Sequence, residues 1–95
     1  MSEETLFRSE HPATRAEVAQ YLRALADKLD ANGTVQLSTG TDTLELTLPE
    51  HFEFEVKAER EVSQSGNPPE MSLELEFEWR EGVDHPEGAG RLEIG

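Results

Sequence analysis

Apolar and polar residues alternate with a period of two along most of the second half of the chain. The longest such run extends from Met71 to Trp79, and a second extends from Phe52 to Val62 with Arg60 as its one polar residue on the apolar parity. Two shorter alternating runs cover 34–38 and 43–48. Because successive side chains of a strand point to opposite faces, this pattern predicts four strands, each with one apolar face.

One amphipathic helix is predicted before these strands. Thr14 and Glu17 have the spacing of a capping box, which marks the first turn of a helix. Gly33 tolerates a positive φ and therefore predicts that the helix ends near Ala31. Between these ends, apolar residues recur at the three-and-four spacing of a single helical face: Val18, Tyr21, Leu22, Leu25, Ala26 and Leu29.

These elements predict an α+β domain with two layers. A short alternating segment at Thr5–Ser9 predicts a further strand, which gives the order β-α-β-β-β-β. Short turns between half-apolar strands favour an antiparallel meander with one buried face, and the single helical stripe would cover that face. The domain is expected to span residues 1–80. Residues 81–95 read as a flexible, acidic, Gly- and Pro-rich tail, with Leu92 and Ile94 as a possible edge strand over 91–94.

The charge excludes several functions. The chain has twenty-one acidic and eight basic residues, which gives a net charge of −13. A protein surface with this charge repels nucleic acid. The acidic residues are spread along every element, which is typical of proteins adapted to a salty cytoplasm, where screening relieves their repulsion.

There is no cysteine, the N-terminus is acidic where a signal peptide is basic, and no apolar run could span a bilayer. These features predict a cytoplasmic protein that does not bind membranes.

Three segments resemble the small family called the amphi-Trp domain: HPATRAEVAQYLRALADKLDANGTVQL, FEFEVKAEREV and MSLELEFEW. The family name refers to an alternating strand that ends in tryptophan, here Met71 to Trp79. The resemblance covers roughly Thr5 to Arg80 and implies a salt-loving archaeal or bacterial source. It implies no catalytic residues, and residues from Glu81 onward lie outside its pattern.

Candidate catalytic and metal-binding residues are few. The histidines His11, His51 and His85 are all predicted in loops, and no two have a helical spacing that would let them share a metal ion. No metal or cofactor is expected. A general acid needs a desolvated carboxylate with a raised pKa, whereas the strand glutamates lie on the polar parity and should face water. A small hydrolase or isomerase with a shallow acidic site is therefore the weaker alternative to a non-enzymatic binding module.

The favoured hypothesis is a protein-interaction or self-associating module. The phenylalanines share the parity of the aliphatic residues and are expected in the core, while Trp79 at the strand end is a candidate for partner contact. Pairing of the two long strands would place like charges opposite each other, with Lys57 and Arg80 as partial relief. This polar face is either a salt adaptation or a surface for a basic partner or for cations. Its candidate contact residues are Glu55, Glu59, Glu74, Glu76 and Glu78.

Overall fold

The computed structural model describes residues 2–83 and 91–95, and the chain divides into two compact units, Met1–Glu50 and His51–Gly95. The first unit contains one helix and two strands: α1 (Arg15–Asp30), β1 (Thr34–Ser38) and β2 (Thr43–Thr47). The second unit contains two longer strands: β3 (Glu53–Glu61) and β4 (Glu70–Glu78). The predicted α+β class is confirmed.

Both predicted ends of the helix are confirmed by hydrogen bonds. At the start of α1, the hydroxyl of Thr14 accepts a bond from the backbone N–H of Glu17 at 3.1 Å. The Glu17 carboxylate in turn accepts one from the backbone N–H of Thr14 at 3.4 Å, which completes the capping box. At the other end, the N–H of Gly33 donates to the carbonyl of Lys28 at 2.8 Å. These bonds satisfy backbone groups that have no partner within the helix.

A close backbone contact joins the end of the helix to the β1–β2 hairpin. The strands are antiparallel, with Val35 opposite Leu46 and Leu37 opposite Leu44. Gly33, just before β1, has φ +75°, and its carbonyl accepts a bond from the N–H of Leu48 at 2.9 Å. A Cβ at this position would lie 2.7 Å from the carbonyl oxygen of Leu48. This position therefore requires glycine both for its φ and for its space.

The small core of the first unit lies beside this contact. Val35 and Leu48 are the buried hydrophobic residues in the described part of the chain, at 9% and 8% exposure. The helix contacts β1, and Leu25 and Leu29 in its C-terminal half are half-buried. The N-terminal half of the same stripe is more open, and Tyr21 is 59% exposed. The predicted stripe is thus only partly covered.

The second unit is an antiparallel ribbon of two nine-residue strands. Its register places Phe54 opposite Phe77 and Glu55 opposite Glu76. The turn that joins the strands is held by its own side chains: the hydroxyls of Ser63 and Ser65 lie 2.6 Å apart, and the side-chain amide of Asn67 donates to Ser65 at 3.1 Å. The prediction that the two long strands pair across this turn is confirmed.

Three predictions about the strands are corrected. Residues 5–9 and 91–94 are described without strand structure, because a short alternating segment forms a strand only when a neighbour supplies its backbone hydrogen bonds. The strands pair as β1–β2 and β3–β4, two separate two-stranded sheets, and do not form one meander. Pro49 lies in the connection between β2 and β3, where it cannot donate to a ladder. Trp79 lies one residue beyond the end of β4.

Candidate functional site

The β3–β4 ribbon has two faces of opposite chemistry, because residues directly opposite in an antiparallel pair share a face. One set of alternating cross-strand pairs, here called the apolar face, is Phe54–Phe77, Val56–Leu75, Ala58–Leu73 and Arg60–Met71. The other set, here called the acidic face, is Glu53–Glu78, Glu55–Glu76, Lys57–Glu74, Glu59–Ser72 and Glu61–Glu70. The structure therefore brings all five predicted contact glutamates together on the acidic face.

Repulsion dominates the electrostatics of one end of the acidic face. Glu55 lies directly across from Glu76, and Glu53 from Glu78. The pKa of Glu76 is raised above its ordinary value, first by the negative charge of Glu78, then by partial desolvation and by the charge of Glu55. Like charges directly opposite each other weaken strand pairing. The acidic face therefore holds charges that repel each other and that dissolved salt would screen.

Lys57 relieves part of this repulsion at the centre of the ribbon. Its ammonium group lies 3.4 Å from a carboxylate oxygen of Glu74 and 3.5 Å from one of Glu59. The hydrogen bond to Glu74 and the charge of Glu59 raise the pKa of Lys57. Beside it is a shallow open groove of about 280 Å³, lined by Glu55, Lys57, Glu74, Leu75 and Glu76. The predicted partial relief by Lys57 is confirmed, although exposed ion pairs of this kind add little stability.

In residues 2–83 and 91–95, no polar or charged residue is buried, and no group of three potential ligands is placed to hold a metal ion. His11 lies in the segment before the helix, with its ring edge-on to Tyr21 at 6.2 Å between centroids. His51 lies in the bend before β3. The third candidate, His85, lies outside the described residues.

The apolar face of the ribbon is open to solvent along most of its length. Leu73 and Met71 are 70% and 69% exposed, and Leu75 and Phe54 are 46% and 45% exposed. At the other end, the ring of Phe77 meets that of Phe54 edge-to-face at 5.2 Å. The prediction that the strand phenylalanines belong to the core is therefore wrong for Phe54 in particular. Alternation predicts which residues share a face, but it does not specify what covers that face.

The remaining predicted contact residues are not gathered into one site. Trp79 is half-buried and follows β4 on the parity of the apolar face. Leu92 and Ile94 are exposed, at 48% and 86%, in a segment without strand structure.

Sequence reasoning missed the exposure of Leu73 and Met71, which form the most open part of the apolar face. The sequence carries a signal for this exposure at Pro49 and Glu50. A proline between two alternating runs separates the second hairpin from the first.

The whole chain matches the profile of a known protein family. The sequence profile described as the Amphi-Trp domain matches residues 1–95 of the chain, so the expectation that residues from Glu81 onward lie outside the family's pattern is wrong. No curated protein and no solved structure matches the chain significantly. Among the described residues, no helix has both the length and the apolar character needed to cross a lipid bilayer.

Proposed function

The chain belongs to the Amphi-Trp domain family, and we propose that it acts as a non-catalytic protein-interaction module in a salt-rich cytoplasm. Its contact surface is the apolar face of the β3–β4 ribbon. The observation that carries this proposal is the exposure of four large side chains on one face: Phe54, Met71, Leu73 and Leu75.

Exposed apolar patches of this kind mark binding surfaces in soluble proteins. A two-stranded hairpin is also marginally stable in water unless something packs against its apolar face. Every residue of β3 and β4 is exposed or half-buried. The ribbon therefore has both an accessible contact surface and an energetic reason to be covered.

The acidic face has a different role in this proposal. Its carboxylates keep the ribbon hydrated and direct association to the opposite face, which carries no carboxylate. Their mutual repulsion, visible in the raised pKa of Glu76, is relieved by a salt-rich solvent, in which the Debye length falls to about 3 Å near 1 M. This supports a protein that works at high ionic strength.

Among residues 2–83 and 91–95, no polar or charged side chain is buried, and this supports a non-catalytic role. General acid–base catalysis works best with a group whose pKa is brought near the working pH by burial and by neighbouring charges. In the part of the chain that the structure describes, the acidic groove beside Lys57 is open, and its side chains are solvated. A hydrolase or isomerase would need a more enclosed site than this groove.

The test is affinity capture with matched variants of the full chain. Wild type, Leu73→Gln on the apolar face and Ser72→Gln on the acidic face are immobilised and incubated with a lysate in 2 M KCl. The two variants place the same uncharged side chain at neighbouring positions on opposite faces. We expect wild type and Ser72→Gln to retain the same protein, and Leu73→Gln to retain about tenfold less of it, because a buried polar group weakens the contact.

Circular dichroism of both variants establishes that they remain folded. Equal retention by all three chains would contradict the use of the apolar face. Retention that falls with Glu74→Gln, but not with Leu73→Gln, would move the contact surface to the acidic face.

A further inference from the structure

We propose that the apolar face of the β3–β4 ribbon pairs with the same face of a second copy of this chain, in a weak homodimer that salt strengthens. This inference rests on the proposed function, since it names the partner of the same surface. It depends on the distribution of charge, on the size of the face and on the positions of an aromatic pair and of Arg60 at its two ends.

Charge favours a second copy on this side of the ribbon. The face carries no carboxylate, and its one charged residue is Arg60, at the end where it pairs with Met71. When two apolar faces meet, both acidic faces point outward into solvent. Two chains of net charge −13 can therefore associate without bringing their glutamate rows together, and the long-range repulsion that remains is screened in molar salt.

The order of side chains selects an antiparallel arrangement of the two ribbons. One end of the face is bulky and aromatic, with Phe54 opposite Phe77, while Ala58 and Arg60 lie toward the other end. A twofold axis that reverses the strand direction places the aromatic end of each copy against the other copy's end that carries Arg60 and Met71. It also places each Arg60 guanidinium over the partner's aromatic pair, where a cation–π contact is favourable.

The area of the face sets the expected strength. Two nine-residue strands are about 30 Å long and about 10 Å wide, which gives roughly 300 Å² of flat surface per copy. Stable complexes bury about 800 Å² per partner, and smaller interfaces are weak or transient. The dimer should therefore form in a concentration-dependent way, at micromolar or higher protein concentration.

The test is sedimentation velocity of the full chain at about 1 to 500 μM in 0.2 M and 2 M KCl. We expect a monomer at low concentration, a dimer at high concentration, and a lower dissociation constant in 2 M KCl. Leu73→Gln should raise that constant by about tenfold, and Ser72→Gln should leave it within about twofold. A monomer at every concentration and in both salts would overturn the inference.

A second measurement does not depend on the stability of a polar variant. Because the chain has no cysteine, single-cysteine variants Leu73→Cys and Ser72→Cys report on one face each. A short bismaleimide should link Leu73→Cys into dimers and leave Ser72→Cys monomeric. Preferential linking of Ser72→Cys would also overturn the inference.

The proposed function does not depend on formation of the homodimer. A monomeric chain that captures a different protein through Leu73 contradicts only the homodimer. A monomeric chain whose captures are unaffected by Leu73→Gln contradicts both.

Discussion

Replacement of Gly33 by alanine tests how the end of the helix is tied to the hairpin. An alanine there must adopt φ +75°, a left-handed conformation that costs an L-residue about 1 kcal/mol. Its Cβ would also lie 2.7 Å from the carbonyl oxygen of Leu48, so the backbone must move. This movement disrupts the 2.9 Å bond from the Leu48 N–H to the Gly33 carbonyl, which contributes about 1 kcal/mol.

The two effects together predict a loss of about 2–3 kcal/mol in the free energy of unfolding of the first unit. The assay is denaturant unfolding in 2 M KCl, followed by circular dichroism at 222 nm, where α1 dominates the signal.

Two other glycines separate the contributions. Gly66 has φ +84° but open space around its Cβ position, so Gly66→Ala should cost only the conformational part, about 1 kcal/mol in the free energy of unfolding of the second unit. Gly40 has open space and no positive φ, so Gly40→Ala should be neutral or slightly stabilising. A Gly33→Ala variant whose first unit is no less stable than that of Gly40→Ala, the control in the same unit, would refute this account of the Gly33–Leu48 contact.

Three further predictions concern the cap, the core and the acidic face. Thr14→Ala should reduce stability by about 1 kcal/mol while Thr14→Ser has a smaller effect, and equal losses in denaturant midpoints would argue against the capping hydroxyl. Leu48→Ala should lower the free energy of unfolding by about 2–4 kcal/mol in the same assay. Leu73→Ala in dilute protein should lower it by under about 0.5 kcal/mol. Similar losses for the two variants would contradict the different burial of the two side chains. The folded state holds the Glu76 proton more tightly than the unfolded state does, so this group's contribution to stability falls as pH rises through its raised pKa. In low salt, the melting temperature of Glu76→Gln should therefore fall less between pH 4 and pH 7 than that of wild type. Parallel plots of melting temperature against pH would exclude repulsion at Glu76 as the cause.

Local structure was largely predictable from the sequence because its causes are local. The capping box needs only Thr14 and Glu17, three residues apart. The end of the helix needs only a glycine at the position of positive φ. The strict alternation around β3 and β4 also fixed which residues share a face, and hence that pairing of the two strands would set rows of like charge opposite each other.

The assembly of strands into sheets was not predictable in the same way. Each alternating strand has free backbone groups on both edges, and hydrophobic pattern alone does not select the neighbouring strand. The short segment at Thr5–Ser9 had the alternation of a strand but has no ladder. Packing of the helix stripe as a second layer on a sheet stays a prediction.

The candidate site was predicted in position but not in character. The acidic face was expected as the interesting surface, and its residues do lie together. The exposed apolar residues on the other side were expected in the core, because parity was taken to imply burial. Exposure depends on what packs against a face, which is a tertiary property and is not encoded in the period of a strand.

The reactivity of a thiol at position 73 reports whether the apolar face of the ribbon is open in solution. A single cysteine is placed either at Leu73 or at Gln64, which lies in the exposed turn between β3 and β4, and maleimide labelling is followed in 2 M KCl at submicromolar protein. The two thiols should react at rates within about threefold of each other, because Leu73 is 70% exposed. At this dilution a weak dimer is dissociated and does not cover the face. Labelling of Leu73→Cys a hundredfold slower than of Gln64→Cys would show that another part of the same chain covers the face, and would contradict its role as a contact surface.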